Sequence, residues 1–136
     1  MTFKLHPQLK KDCINLGEFK LCSVLLMNDR RYPWFILVPQ CSDTLEIFQL
    51  SESDQLQLRK ESIYLTQKLS ELFNADKMNT AALGNIVPQL HIHHVVRYKD
   101  DPAWPAPIWG IGEAIKYSTD ELANLHIRIK GLIAAL

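Results

Sequence analysis

The stretch that decides the fold is Gly84-Asn-Ile-Val-Pro-Gln-Leu-His-Ile-His-His-Val-Val-Arg97. Its apolar residues between Leu90 and Tyr98 predict a β-strand that follows a glycine-containing turn. Side chains on a strand point alternately to its two faces, and like-faced neighbours are about 7 Å apart. One face is therefore predicted to carry Gln89, His91 and His93, and the other to carry Leu90, Ile92 and His94. Two imidazoles and an amide in one row can reach a single anionic group.

Such a row suits phosphoryl chemistry, because one imidazole can attack phosphorus while its neighbour donates a hydrogen bond to a phosphoryl or leaving-group oxygen. Structural histidines on a sheet, or adventitious binding of a transition metal, are the alternatives. A zinc site built from His91, His93 and His94 is disfavoured because the third side chain points away from the other two. His94 is predicted to be a structural histidine, and Arg97 is expected at the surface, facing away from His91.

The residues before this stretch predict an antiparallel arrangement of strands. Strand-like sequence runs from Leu16 to Val38, with alternation at Glu18–Leu21 and a turn cluster at Asn28–Pro33. The connection at this turn is too short for a parallel crossover, so the flanking strands form a hairpin. Met78–Leu83 predicts a further strand.

Two helices are predicted by cap residues followed by apolar stripes of helical period. Ser51 and Asp54 resemble a capping box before a helix over about residues 52–73, and Ser118-Thr-Asp-Glu121 begins the final helix. Three prolines between Asp100 and Gly110 predict an extended loop. The order of strands, helix, strands and helix predicts an α+β fold with an antiparallel sheet of about five strands and two helices.

The composition is that of an ordinary globular chain and predicts one domain over residues 1–136. The chain has 136 residues, 47% of them hydrophobic and 22% charged. Fifteen basic residues balance fifteen acidic ones, so binding to nucleic acid or to an anionic membrane is not expected. The N-terminus lacks the apolar core of a signal peptide and no apolar run could span a bilayer, which predicts a cytoplasmic protein.

The stretch Gln89-Leu-His-Ile-His-His-Val95 resembles the signature of the histidine triad (HIT) family, His-φ-His-φ-His-φ-φ with φ apolar, with Gln89 in place of the first histidine. The turn Gly84-Asn-Ile-Val-Pro88, the hairpin over Leu25–Pro39 and the long helix after it are also similar to the family. The resemblance covers about residues 19–98 and leaves out the proline-rich loop and last helix over 99–136.

The resemblance implies a HIT-like fold and cleavage of nucleotide conjugates at the α-phosphorus through a transient nucleotidyl-histidine. His91 stands at the position of the nucleophile, and His93 would assist at the phosphate and the leaving group. Gln89 would keep a supporting hydrogen bond. The implied substrates are dinucleoside polyphosphates or nucleoside phosphoramidates, no metal or cofactor is needed, and a homodimer is expected.

By the same resemblance Asn28 is expected to contact a ribose hydroxyl and Asn85 the phosphate or leaving group, while Leu26 and Trp34 line the base pocket. Ile86 stands where many members have a serine that contacts the phosphate region. Because Gln89 and Ile86 reduce the phosphate contacts, a non-catalytic nucleotide-binding module is the alternative function. Two tryptophans of the proline-rich loop, Trp104 and Trp109, are expected to act as packing anchors rather than to stack at the pocket mouth.

Overall fold

The computed structural model describes residues 2–136, which form one antiparallel sheet and three helices. The elements in chain order are α1 (Pro7–Asp12), β1 (Cys13–Glu18), β2 (Cys22–Met27), β3 (Trp34–Pro39), α2 (Glu52–Phe73), β4 (Lys77–Ala81), β5 (Ile92–Arg97) and α3 (Thr119–Ala134), with a 3-10 turn at Ile47–Gln49. The strands lie in the order β1-β2-β3-β5-β4. The predicted α+β class and five-stranded antiparallel sheet are confirmed. None of the helices in the described residues is long and apolar enough to cross a membrane.

The two long helices begin where their cap residues predict. Ser51 Oγ accepts a hydrogen bond from Asp54 N at 3.1 Å, and α2 covers Glu52–Phe73. At the start of α3 the Ser118 hydroxyl and the Glu121 carboxylate each accept from the other residue's backbone N–H. Side-chain caps of this kind satisfy N–H groups that have no partner within the helix.

The prediction of two helices was wrong at the N-terminus, where α1 adds a third. Its cap is an imidazole, because His6 Nδ1 accepts from Gln8 N at 3.0 Å, and Pro7 occupies the first turn. Six residues with one buried side chain, Leu9, are too few to display a helical period.

The first strand also lies earlier than predicted, at Cys13–Glu18, and the residues after it form a turn. This turn is fixed by Glu61 of α2, whose buried carboxylate accepts from the N–H groups of Leu21 and Cys22, each at 2.9 Å. The alternation at Glu18–Leu21 is therefore not a strand. A carboxylate 40 residues away supplies these bonds, so local sequence could not reveal them.

The two faces of the sheet bury different material. The face under α2 and α3 holds an apolar core that includes Leu26, Phe35, Leu37, Leu65 and Ile129. The opposite face carries Leu25, Trp34, Ile36 and Val95, against which α1 and the proline-rich loop pack through Leu9, Ala103 and Ile108. His91 and His93 lie on this second face, as their sequence alternation predicts.

Candidate active site

His91 lies immediately before the first residue of β5, in extended chain. Its Nδ1 is 2.6 Å from the backbone oxygen of Gln89, which can only accept a hydrogen bond. Nδ1 of the neutral ring therefore carries the proton, and Nε2 is left with a free lone pair. The predicted β5 begins two residues too early, because Leu90 N donates to Thr44 O at 2.9 Å rather than to a neighbouring strand.

His93 is held in the opposite tautomer. The indole N–H of Trp34 donates to His93 Nδ1 at 2.9 Å, so in the neutral ring the proton is on Nε2. Burial, with smaller contributions from His91 and His94, lowers the pKa of His93 to about 3. The ring is therefore neutral near pH 7 and presents an N–H donor.

The two rings touch edge to face, with centroids 4.8 Å apart. Their side chains are largely covered, because His91 is 6% and His93 5% exposed. Among residues 2–136, the polar side-chain atoms that are sealed from solvent and also lack a partner are Tyr32 Oη and Trp109 Nε1. Neither Nε2 atom has a hydrogen-bond partner among residues 2–136, whereas each Nδ1 has one.

His94 points to the other face of the sheet and is fully buried. Its Nδ1 lies 3.1 Å from Ile92 O and its Nε2 2.7 Å from Ser62 Oγ on α2. The Ile92 carbonyl fixes the proton on Nδ1, so the Ser62 hydroxyl donates to Nε2. Burial lowers the pKa of His94 to about 4. Both nitrogens are satisfied, as expected of a structural histidine.

The side-chain amide of Gln89 makes its hydrogen bonds to the N-terminal segment and not to the rings of His91 and His93. Its Oε1 accepts from His6 N and its Nε2 donates to Lys4 O, each at 2.8 Å. The amide thus fastens the N-terminal segment to the turn before β5. The backbone of Gln89, rather than its side chain, orients His91.

Arg97 was wrongly expected at the surface on the opposite face from His91. It has the same parity as His91 and His93, and it is 1% exposed. Its guanidinium donates to both carboxylate oxygens of Asp101, at 2.8 and 3.0 Å, and to Asn79 Oδ1 at 2.7 Å. Asp101 also accepts from the backbone N–H of Tyr98 and from two backbone N–H groups of the proline-rich loop, those of Ala103 and Trp104. Arg97 therefore positions that loop against the sheet.

A cavity of about 430 Å³ lies on the same side of the sheet as the histidine pair, but neither His91 nor His93 is part of its wall. Its wall includes Trp34 and Trp109, and the Trp109 ring packs edge-on against His93 with centroids 5.2 Å apart. Trp109 thus lines a pocket, whereas it was expected to act only as a packing anchor. Trp104 does act as an anchor, because its ring lies 5.4 Å from the Arg97 guanidinium carbon.

Two of the predicted nucleotide contacts, Trp34 and Asn28, line this cavity. Asn28 Oδ1 accepts from Tyr117 N at 2.9 Å, which ties the end of β2 to the chain before α3. The neighbouring Asp29 also lines the cavity and pairs with Arg31 at 2.8 Å. Hydrogen bonds from Arg31 and from the Ile115 N–H outweigh burial and lower the pKa of Asp29. Asp29 was not among the predicted site residues, although it follows Asn28 directly.

Leu26 cannot line the cavity, and this prediction was wrong. Its side chain is fully buried in the core under the helices. Met27, one residue further on, points to the cavity. The register of β2 decides this, because Leu26 pairs with Phe35 and shares the helix-facing side with it.

Asn85 and Ile86 lie on the exposed turn that leads to His91. Asn85 makes no side-chain hydrogen bond to another described residue, and Ile86 is 90% exposed. Over residues 2–136, no group of three or more histidine, cysteine, aspartate or glutamate side chains is arranged to hold a metal ion.

The sequence matches the HIT domain family over residues 8–100. The chain is 48% identical to a histidine triad protein from Marinobacter aquaeolei VT8, with a TM-score of 0.98 and coverage of 100% of this chain and 99% of the other. A histidine triad protein from Bradyrhizobium japonicum is 40% identical, with a TM-score of 0.95 and coverage of 98% and 99%.

A third similar structure is a HIT protein from Sinorhizobium meliloti 1021, at 44% identity, a TM-score of 0.93 and 96% coverage of both chains. The search of curated proteins finds no match. The signature residues, the fold and these likenesses agree. The chain belongs to the histidine triad (HIT) family.

Proposed function

We propose that this protein hydrolyses nucleotide conjugates at the α-phosphorus through a covalent nucleotidyl-His91 intermediate. The observation that carries the proposal is the pairing of opposite tautomers on adjacent rings. His91 offers a lone pair on Nε2, and His93 offers an N–H on Nε2. A nucleophile beside a hydrogen-bond donor is the arrangement that a phosphoryl displacement requires.

In the first step His91 Nε2 forms a bond to the α-phosphorus as the bond to the leaving group breaks. His93 Nε2–H donates to a phosphoryl oxygen or to the departing atom. In the second step water attacks the same phosphorus and releases His91 and the nucleoside monophosphate. The carbonyl of Gln89 supports the positive charge that develops on the His91 ring, because it accepts from Nδ1–H.

The nucleoside is proposed to occupy the cavity beside Trp34 and Trp109. Its volume suits a small organic ligand, and aromatic walls are typical of pockets that hold one. Asn28 and Asp29 are two of the polar residues on its wall, and we propose them as the contacts to a ribose. Asn85, on the turn before His91, is retained as a proposed contact to the phosphate or the leaving group.

A non-catalytic nucleotide-binding module is the second candidate, and the low exposure of His91 and His93 favours it. The two functions differ in whether a covalent intermediate forms. The protein is mixed with an adenosine 5′-phosphoramidate, and the reaction is stopped rapidly without acid. We expect a protein adduct that is heavier than the unmodified chain by one nucleotidyl group. Peptide mapping should locate it on His91.

The control for this experiment is His126→Ala, which removes an exposed imidazole from α3. This variant should form the adduct as the unmodified protein does, whereas His91→Ala should form none. Binding of the conjugate without any adduct or released nucleotide would favour the binding module and overturn the hydrolase. An adduct on another residue would overturn the assignment of His91.

We also propose, from the family resemblance, that two copies of the chain form a homodimer. The outer edge of β4 has no strand partner among the described residues, which leaves backbone groups free for pairing. Light scattering coupled to size-exclusion chromatography tests this. A mass of 15.7 kDa, that of one chain, would contradict it.

A further inference from the structure

The peptide unit that joins Gln89 to Leu90 fixes the tautomer of His91, and it lies outside the sheet. Its carbonyl accepts a hydrogen bond from His91 Nδ1 at 2.6 Å. Its N–H, which belongs to Leu90, donates to Thr44 O at 2.9 Å. The pairing of β5 with β3 begins only at Ile92. The orientation of this peptide unit, and of the His91 ring with it, therefore depends on contacts outside the ladder of strands.

The side chain of Gln89 supplies a second support for this peptide unit. Its Oε1 accepts from His6 N and its Nε2 donates to Lys4 O, each at 2.8 Å. The two bonds hold the amide in position and in rotation, so the α-carbon of Gln89 is tethered as well. Rotation about the bond from this carbon to the carbonyl decides where the carbonyl points. Without the amide bonds, the bond to Thr44 O would be left to hold the peptide unit, and the carbonyl could turn away from His91.

The N-terminal segment, Thr2–His6, is attached to the sheet by contacts of its own. Phe3 and Leu5 pack against the apolar cluster on the second face of the sheet. Leu9 of α1, just beyond the segment, belongs to the same cluster and is 3% exposed. A segment held only by Gln89 would follow any movement of the glutamine. Because this one is anchored by apolar contacts, it can serve as a fixed point to which the amide is fastened.

We propose that the N-terminal segment positions the nucleophile: by holding the Gln89 amide, it keeps the carbonyl of Gln89 on His91 Nδ1 and leaves Nε2 unprotonated for attack on phosphorus. The inference rests on the hydrolase proposed above. It makes Gln89 a positioning residue, which acts on His91 and does not contact the substrate. It also explains why an amide serves at this position, because the segment presents one N–H and one carbonyl, and an amide offers one acceptor and one donor side by side.

The test replaces Gln89 with glutamate, which has nearly the same shape. The carboxylate of Gln89→Glu can accept from His6 N but has no hydrogen to donate to Lys4 O. We expect kcat for an adenosine 5′-phosphoramidate to fall by about tenfold, because the nucleophile is misplaced. KM should stay within about twofold, because Asn28 N donates to Asp12 O at 3.0 Å and holds the cavity end of α1 independently.

A spectroscopic measurement shows whether the loss arises at His91. The nitrogen chemical shifts of the His91 ring should report a proton on Nδ1 in the unmodified protein and a mixture of both tautomers in Gln89→Glu. The matched control is Gln55→Glu on α2, which removes a bond of the same kind, from Gln55 Nε2 to Leu50 O at 3.0 Å. This control should change neither the nitrogen shifts nor kcat.

A second variant loosens the N-terminal segment while Gln89 stays intact. Leu5→Ala should lower kcat several-fold and move the His91 nitrogen shifts in the same direction. The double variant with Gln89→Glu should be no slower than Gln89→Glu alone, because both changes remove the same support. The control for lost packing is Leu132→Ala, at a partly buried leucine of α3 that packs on the other face of the sheet. It should reduce stability and leave kcat and the His91 shifts unchanged.

The outcomes separate this inference from the proposed function. An unchanged kcat in Gln89→Glu, or a lowered kcat with the His91 proton still on Nδ1, overturns the positioning role and leaves the hydrolase standing. Losses that multiply in the double variant would mean that the segment and Gln89 act separately, which also overturns it. If the unmodified protein cleaves no conjugate and forms no adduct, the hydrolase fails, and the nitrogen shifts alone decide whether the segment fixes the tautomer of His91.

Discussion

The two faces of β5 hold imidazoles in opposite circumstances. On the helix side His94 has a partner for each ring nitrogen, a backbone carbonyl and a serine hydroxyl. On the other side His91 and His93 each have a partner for Nδ1 and none among the described residues for Nε2. His93 and His94 are neighbours on one strand, so the elements packed on each face decide which histidine has both ring nitrogens satisfied and which keeps Nε2 without a partner among the described residues.

The largest expected effect comes from comparing alanine substitutions of the histidines on the two faces. His91→Ala should lower kcat by roughly 10³-fold or more, because it removes the proposed nucleophile, and it should cost less stability than His94→Ala. His94→Ala should lower the free energy of unfolding by about 2–4 kcal/mol, because it leaves a cavity and an unpartnered Ser62 hydroxyl. Its kcat should stay within about threefold. Steady-state rates and urea unfolding measure the two quantities on the same preparations.

The contrast between the faces fails if the two variants behave alike. Equal losses of activity in folded His91→Ala and His94→Ala would mean that the reacting group is not confined to the face with the cavity. Circular dichroism of both variants at the assay temperature ensures that the rates are those of folded protein.

A smaller effect is expected from two neighbours on β2 that point to opposite faces. Leu26→Ala should reduce the free energy of unfolding by about 2–5 kcal/mol, the usual loss for a leucine deleted from a packed core. Met27→Ala, on the cavity wall, should instead raise KM by about fivefold with a smaller loss of stability. Thermal unfolding and substrate titration distinguish them, and an unchanged KM for Met27→Ala would remove the cavity from the binding site.

A finer test changes the tautomer of His93 through its hydrogen-bond donor, Trp34. Trp34→Phe keeps an aromatic ring but removes the N–H that donates to His93 Nδ1. The His93 proton can then move between the two nitrogens, and kcat should fall by about tenfold. Nitrogen chemical shifts of the ring report the tautomer directly. A fall in kcat with the Nε2–H tautomer still dominant would assign the loss to cavity packing instead.

The sequence predicted features that depend on local spacing and missed those that depend on distant partners. Caps and apolar periods located α2 and α3, and strand alternation assigned His91 and His93 to one face. The side-chain role of Gln89, the turn held by Glu61 and the contacts of Trp109 each require a residue far away in the chain. The prediction that Arg97 lies at the surface and faces away from His91 was wrong for a simpler reason. Odd-numbered residues of this stretch share one face, and the partner of Arg97, Asp101, lies in a loop.

The dependence of stability on pH gives the smallest expected effect and compares the two faces quantitatively. The pKa values of His93 and His94 are lowered to about 3 and about 4, against about 6.5 in an unfolded chain. Between pH 6.5 and pH 4 the unfolded state therefore binds more protons than the folded state, so stability falls as the pH falls through this range. Each imidazole contributes a slope of up to about 1.4 kcal/mol per pH unit, which falls to about half at pH 6.5 and fades about one pH unit above it.

His94→Leu should remove one of these two contributions. The free energy of unfolding measured in urea between pH 6 and pH 5 should change less steeply, by about 1 kcal/mol per pH unit, while the carboxylates, which titrate lower, contribute little in that window. His126→Leu, at an exposed position on α3, is the matched control and should leave the slope unchanged. His93 is buried by the proline-rich loop and His94 by α2. If the free energy of unfolding depends equally steeply on pH in His94→Leu and in the unmodified protein, burial under α2 does not lower the pKa of His94.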